Sequence, residues 1–104
     1  MSFTLGFEDS LKLATHYAKH GAEFGGITQA EYALLADTFL GSPLNPVNQL
    51  ECRRRSGDVV RLDLTTNEFG VLSKGGHIRT YFKPDPRVHG HSSNIDYFHS
   101  ECGK

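Results

Sequence analysis

Two histidines and a lysine share one short stretch, His16-Tyr-Ala-Lys-His20. Positions four apart on a helix lie on one face, so His16 and His20 can address a single point with Lys19 at its edge. Imidazoles exchange protons near neutral pH and can bind metals, while an ammonium attracts anions. Three readings fit this trio: metal binding, phosphate chemistry, or a helix face with no chemical role. A second group lies in His77-Ile-Arg-Thr-Tyr-Phe-Lys83. Strand alternation puts His77, Arg79, Tyr81 and Lys83 on one face, and Ile78, Thr80 and Phe82 on the other, which the helices should cover. Thr80 is then a hydroxyl between two core residues. Either it is a strand former bonded to a neighbour, or it lines a cleft beneath the first helix where His16 or His20 could meet it.

Zinc would need a third ligand and a fourth or an open position. His89 or His91 would have to supply one, the Glu of an HExxH pair is missing, and Lys19 beside a cation is electrostatically unfavourable. Phosphoryl transfer from the 2′-hydroxyl of RNA suits the residues better. It needs a base, an acid and fixed cations or hydroxyls around the phosphorus, which His, Lys, Arg and Thr supply without a metal. The remaining polar and aromatic groups have simpler readings. Arg53-Arg54-Arg55 reads as a solvated strand face, Tyr97 and Phe98 as ordinary core or surface aromatics, and His89-Gly-His91 as a loop.

Several elements must position these groups. Residues 9–20 read as a helix capped by Asp9 or Ser10, with an apolar stripe of Leu11, Leu13, Ala14, Tyr17 and Ala18 and a stop at Gly21. Thr28-Gln-Ala-Glu31 is a capping box, and Tyr32, Leu35, Ala36 and Phe39 continue a second helix to Gly41. Ser42-Pro-Leu-Asn-Pro46 is a loop, since proline and the residue before it resist helix. From Gln49 the period becomes two, with runs over 49–55, 58–64, 68–73 and 77–83. Turns fall at Ser56-Gly57, Thr65-Thr-Asn67 and Gly75-Gly76. Val60, Leu62 and Leu64 share one face, with Val59, Arg61 and Asp63 opposite. Ser93-Asn-Ile-Asp96 opens a last short helix through about Cys102. The expected class is α+β: two N-terminal helices on an antiparallel sheet of about four strands, then a short C-terminal helix.

At 104 residues, with 38% hydrophobic and 11% aromatic content, the chain is sized for one domain, 1–104, with one core. No apolar run approaches the roughly 18 residues of a membrane span. The start, Met1-Ser-Phe-Thr-Leu-Gly-Phe-Glu-Asp9, lacks a signal peptide's basic and apolar regions. A soluble domain is expected. Net charge is −1, so any anion must be gripped locally, through clusters such as Arg53–Arg55 with Arg61, or Arg79, Lys83 and Arg87. Cys52 and Cys102 form no CxxC pair; they could pair if the C-terminus folds back on the first strand, but two thiols in a reducing compartment are the expected state.

A family resemblance runs through much of this. His16, the segment His20-Gly-Ala-Glu-Phe-Gly25, Glu31-Tyr32, Thr66-Asn-Glu-Phe-Gly-Val71, Gly76-His-Ile-Arg-Thr-Tyr-Phe-Lys-Pro84 and Tyr97-Phe98 follow one another in an order similar to a known group. They resemble the nuclease toxin domains of the barnase/EndoU/colicin D/RelE-like (BECR) group, over roughly residues 9–100. Such domains end contact-dependent growth-inhibition proteins, other polymorphic toxins and some phage proteins. The resemblance implies a metal-independent ribonuclease without cofactor, often cutting transfer RNA, with a helical N-terminal part on a twisted antiparallel sheet. It implies a cognate immunity protein, sometimes a host activator such as elongation factor Tu, and delivery from a larger secreted or cell-surface toxin into the target-cell cytoplasm. By position, His16 and His20 match the catalytic histidines and Thr80 a recurrent late-strand hydroxyl. Arg79 or Lys83 would supply a phosphate-binding cation, Tyr97 matches an aromatic near the end, and Lys19 and Arg61 would add substrate contacts. The slightly acidic balance departs from many such toxins, which are basic, and favours local grip or a helper protein.

Overall fold

The computed structural model describes residues 3–104. In chain order they form α1 (Ser10–His20), a 3₁₀ turn (Gly21–Phe24), α2 (Gln29–Gly41), β1 (Gln49–Arg53), β2 (Val59–Asp63), β3 (Phe69–Leu72), β4 (Ile78–Phe82), α3 (Pro86–His89) and α4 (Asn94–Cys102). The strands make one antiparallel meander in the order β1-β2-β3-β4. This is the expected α+β arrangement of two N-terminal helices, four strands and a short C-terminal helix.

The helix starts follow the local chemistry. The Asp9 side chain accepts from the Lys12 N–H at 2.8 Å and opens α1. Thr28 and Glu31 form the reciprocal capping box of α2, and Ser93 caps α4 by accepting from the Asp96 N–H. Gly21 ends α1 as expected, as its C-cap, but keeps right-handed geometry at φ −56°. The chain therefore tightens into the 3₁₀ turn rather than leaving the helix axis, and that turn brings Glu23 beside His20. The stripe on α1 is narrower than expected: Leu11 and Ala18 are exposed, and only Leu13 and Tyr17 pack against the core.

The sheet is covered on both faces, not one. On the α2 side, Tyr32, Ala36, Phe39 and Leu40 pack with Phe7, Ile78 and Tyr81. A Cβ on Gly70 of β3 would lie 2.9 Å from Leu40 Cδ1, so α2 sits as close as it does because that position has no side chain. On the α4 side, Val60, Leu62, Phe69 and Val71 pack against Phe98. The second face of β2, with Val59, Arg61 and Asp63, is thus also interior, and Arg61 and Asp63 are buried there.

A register shift corrects the face assignment on β4. Val71 pairs with Thr80 but Leu72 pairs with Ile78, which leaves Arg79 as the extra residue of a bulge. Ile78 therefore joins Tyr81 on the α2 side, whereas strict alternation had opposed them. Tyr81, expected on the uncovered face, is fully buried. Its hydroxyl donates to Glu68, and the Tyr32 hydroxyl donates to the Tyr81 carbonyl. The N-terminal segment closes the other side of β4: the Leu5 N–H donates to Gly76 O and the Ile78 N–H to Gly6 O, at 2.9 and 2.8 Å. Asp37 on α2 anchors that segment by accepting from the Phe3 and Thr4 N–H groups.

The cysteines also depart from expectation. Cys52 and Cys102 form a disulfide, S–S 2.05 Å, rather than two free thiols. Cys52 stands opposite Val60 on the strand face that α4 covers, and Phe98 and Cys102, four apart, share the inner face of α4. Arg54 reinforces the join, with Nε donating to the Glu101 carbonyl at 2.7 Å. The end of α4 is fixed to β1 by a covalent bond and an arginine.

Candidate active site

α1 packs beside edge strand β4 so that Tyr17 enters the core, while His16, its ring 5.4 Å from that of the core residue Phe7, and His20 line a cleft. Their side of the helix forms one wall of this cleft, of about 660 Å³. Thr80, Phe82 and Lys83 of β4 and its extension make the floor, and His89 and Tyr97, from α3 and α4, close the far side. Helix period places the two imidazoles; the bulge at Arg79 and strand pleat place Thr80 and Phe82 beneath them.

The rings form a connected stack. His16 and His20 have centroids 6.3 Å apart, and His20 lies over Phe82 at 4.8 Å, nearly parallel. Tyr97 stacks on His89 at 4.4 Å, and His89 Nε2 is held by Asn94 Oδ1 at 2.9 Å. The most directed contact is between His20 Nδ1 and Glu23 Oε2, at 2.7 Å. Glu23 Oε1 accepts the Lys83 backbone N–H, also at 2.7 Å, so one carboxylate ties the 3₁₀ turn, the helix and the strand end together. It holds the His20 ring by Nδ1 and leaves Nε2 as the nitrogen available to a ligand.

Electrostatics in the cleft favour an anion. Its three carboxylates are already engaged: Glu23 with His20, Asp85 with Arg87, and Glu101 with Arg54 and Lys104. Lys19 is exposed at the rim, and Lys83 Nζ sits 5.1 Å from the Phe24 ring centroid, a cation–π contact that directs its stem. Burial, helped by the neighbouring His20 and Lys19 charges, lowers the His16 pKa below the ordinary histidine value. His16 is therefore a neutral imidazole at neutral pH. Burial, with Glu101 nearby, raises the Tyr97 pKa, so its phenol keeps its proton.

The structure brings His16, His20, Lys19, Thr80, Lys83 and Tyr97 together. It separates two others. Arg61 is not at the cleft: it is buried under α2, with Nη1 donating to Phe39 O and Ser42 O at 2.7 and 2.8 Å, and Nε and Nη2 donating to Glu51. Its four bonds are those of a structural tie between β2, β1 and the end of α2. Arg79 lines a neighbouring cavity and donates from Nε to Asp58 Oδ1 at 3.0 Å. Sequence reasoning missed Glu23 and His89. Glu23 carried a signal, since it lies three residues after His20, but the 3₁₀ turn that carries it back to that ring follows the helix stop and was not expected. His89 was read as loop, yet the Asp85-capped turn of α3 brings it to Tyr97. Among the described residues, no three His, Cys, Asp or Glu side chains converge to hold a metal ion, and no helix is long and apolar enough to cross a membrane.

No protein-family model matches this chain, and no curated protein matches it either.

Proposed function

We propose that this chain is a ribonuclease toxin domain that cleaves RNA, most naturally transfer RNA, by attack of a 2′-hydroxyl on the adjacent phosphate. The observation that carries the reading is the meeting of His16, His20, Thr80 and two lysines in one cleft. His16, held neutral, takes the 2′-hydroxyl proton as general base. The 2′-oxygen forms a bond to phosphorus while the bond to the 5′-oxygen breaks. His20, protonated and facing the Glu23 carboxylate through Nδ1, gives its Nε2 proton to that leaving oxygen. The products are a 2′,3′-cyclic phosphate and a 5′-hydroxyl. Thr80, Lys19 and Lys83 hold the charge that develops on the phosphate oxygens, and Tyr97 offers a further O–H donor or a stacking surface. Two imidazoles supply both proton transfers, so this route is metal-independent and needs no cofactor.

The resemblance to BECR toxins adds the setting: interbacterial competition, with the domain carried by a larger secreted or cell-surface protein into the target-cell cytoplasm. A cognate immunity protein would block the cleft, and a host factor such as elongation factor Tu would compensate for the weak overall field of a chain with net charge −1. A disulfide suits a protein that passes through an oxidising compartment. A non-catalytic module docking through the Arg53–Arg61 face is less well supported, because Arg54 and Arg61 already serve internal partners.

Purified domain incubated with total RNA in excess EDTA, with and without cell extract, tests the reading. Cleavage leaving cyclic phosphate ends is expected from the wild type and not from the His16→Ala, His20→Ala variant. Intact RNA in every wild-type reaction would refute the function, and cleavage by the double variant would refute the site.

A further inference from the structure

A second cavity, of about 430 Å³, lies on the N-terminal side of the first, lined by Lys12, His16, Ser73, His77 and Arg79 together with Glu8. His16 lines both cavities. A strand whose phosphate sits at His16 in the first cleft therefore has the second immediately beside it.

The polar wall of this cavity is rich in unspent donors. His77 also lines the cavity, but its Nδ1, which has no hydrogen-bond partner among the described residues, is buried out of a ligand's reach. Ser73 Oγ accepts the His77 N–H at 3.0 Å, which leaves its own O–H to donate outward. Arg79, pushed out by the β4 bulge, uses Nε for Asp58 and keeps its two terminal nitrogens free of hydrogen bonds to other described residues, with 54% of the side chain exposed. Lys12 meets Glu8 at 2.8 Å, but both side chains are more than half exposed, so water and ions compete freely with that pair. An ammonium with three donors and a guanidinium with five each have one committed. The matching ligand is an anion with several acceptor oxygens. On a nucleic-acid strand that is the phosphate, the group through which proteins set register.

We infer that the second cavity holds the phosphate next to the scissile one on the same RNA strand, gripped by Lys12 and Arg79. The inference rests on the ribonuclease reading of the first cleft and assigns these two residues to positioning, with no part in proton transfer. Arg79 then has a use that its distance from the first cleft otherwise denies it.

The test is RNA binding as a function of salt. The His16→Ala, His20→Ala protein, which retains Lys12 and Arg79, is titrated with bulk transfer RNA over a range of salt concentrations. Lys12→Ala and Arg79→Gln are then added singly and together. Lys12 is exposed, and the amide introduced by Arg79→Gln keeps a donor for Asp58, so both variants should fold, with thermal melting as the check. Each lost phosphate contact should flatten the plot of log K against log salt by about 0.7–0.9, a change that a purely structural role would not produce. In the cleaving protein the same substitutions should raise KM for transfer RNA and leave kcat within about twofold. Unchanged slopes would overturn the inference, as would a fall in kcat at unchanged KM. If the wild type cleaves RNA and the slopes do not move, only the second cavity loses its role. If the wild type neither binds nor cleaves RNA, the ribonuclease reading fails and this one with it.

Discussion

Glu23→Gln is the substitution that most directly probes how the histidine pair is set up. Both Glu23 oxygens accept, one at 2.7 Å from His20 Nδ1 and one at 2.7 Å from the Lys83 N–H. Glutamine has the same shape but only one acceptor oxygen, so it can serve one of these partners and not both. If its oxygen stays with Lys83, its amide group donates toward His20 and drives the ring proton to Nε2, reversing the tautomer. If it turns to His20, the Lys83 N–H loses its acceptor and the protonated ring loses its counter-charge. A hydrogen bond to a charged group contributes about 1.5–3 kcal/mol. At about 1.4 kcal/mol per decade, that is about 10- to 150-fold in kcat/KM. The His20 and Glu23 side chains are 14% and 32% exposed, so solvent screening places the expected loss toward the lower end, at about 10- to 30-fold. Transfer-RNA cleavage by wild type and variant, matched for folding by circular dichroism, measures it. A proton–nitrogen correlation spectrum of the histidines, taken where His20 is neutral, reads the tautomer independently of activity. Activity within twofold of wild type, together with an unchanged tautomer, would refute the assignment of Glu23 as the group that orients His20.

Three further outcomes follow from the same geometry. Because burial lowers the His16 pKa, the acidic limb of kcat/KM should lie below about pH 6.5. Between the folded and unfolded His16 values the unfolded chain holds the extra proton, so stability rises with pH there and is lost as pH falls below about 6.5; denaturant midpoints for wild type and His16→Gln should show this contribution disappear in the variant. Arg61→Met should leave the Phe39 carbonyl and the Glu51 carboxylate without their partners, at a cost of about 3 kcal/mol read by urea unfolding; a change under about 0.5 kcal/mol, the range of an ordinary surface substitution, would contradict the structural role. Reducing Cys52–Cys102, which spans 50 residues, removes a constraint worth about 4 kcal/mol on loop entropy alone; a melting temperature unchanged by a thiol reductant would show that the bond does not form.

Local chemistry made much of this protein legible in its sequence. Asp9, Thr28 with Glu31, and Ser93 mark helix starts because their side chains satisfy backbone N–H groups only a few positions away. The four strands and their turns follow from a period of two interrupted by glycine and asparagine, and the shared face of His16 and His20 follows from the helix period. Tertiary structure decided what lay across the sheet. Strict alternation could not foresee the bulge at Arg79, because the register of β4 is set by β3 and the helices and not by its own residues. Arg61 reads as an ordinary strand-face cation until α2 lies over it with two free carbonyls. Cys52 and Cys102 meet only because α4 packs on β2, whose Val60 pairs with Cys52 of β1, a contact spanning half the chain. Side-chain types and short periods are local, and they determined the helices, the strands and the pair of imidazoles. Which groups surround that pair, from Glu23 and Thr80 to Tyr97 and His89, depends on non-local packing, so only the folded chain could settle it.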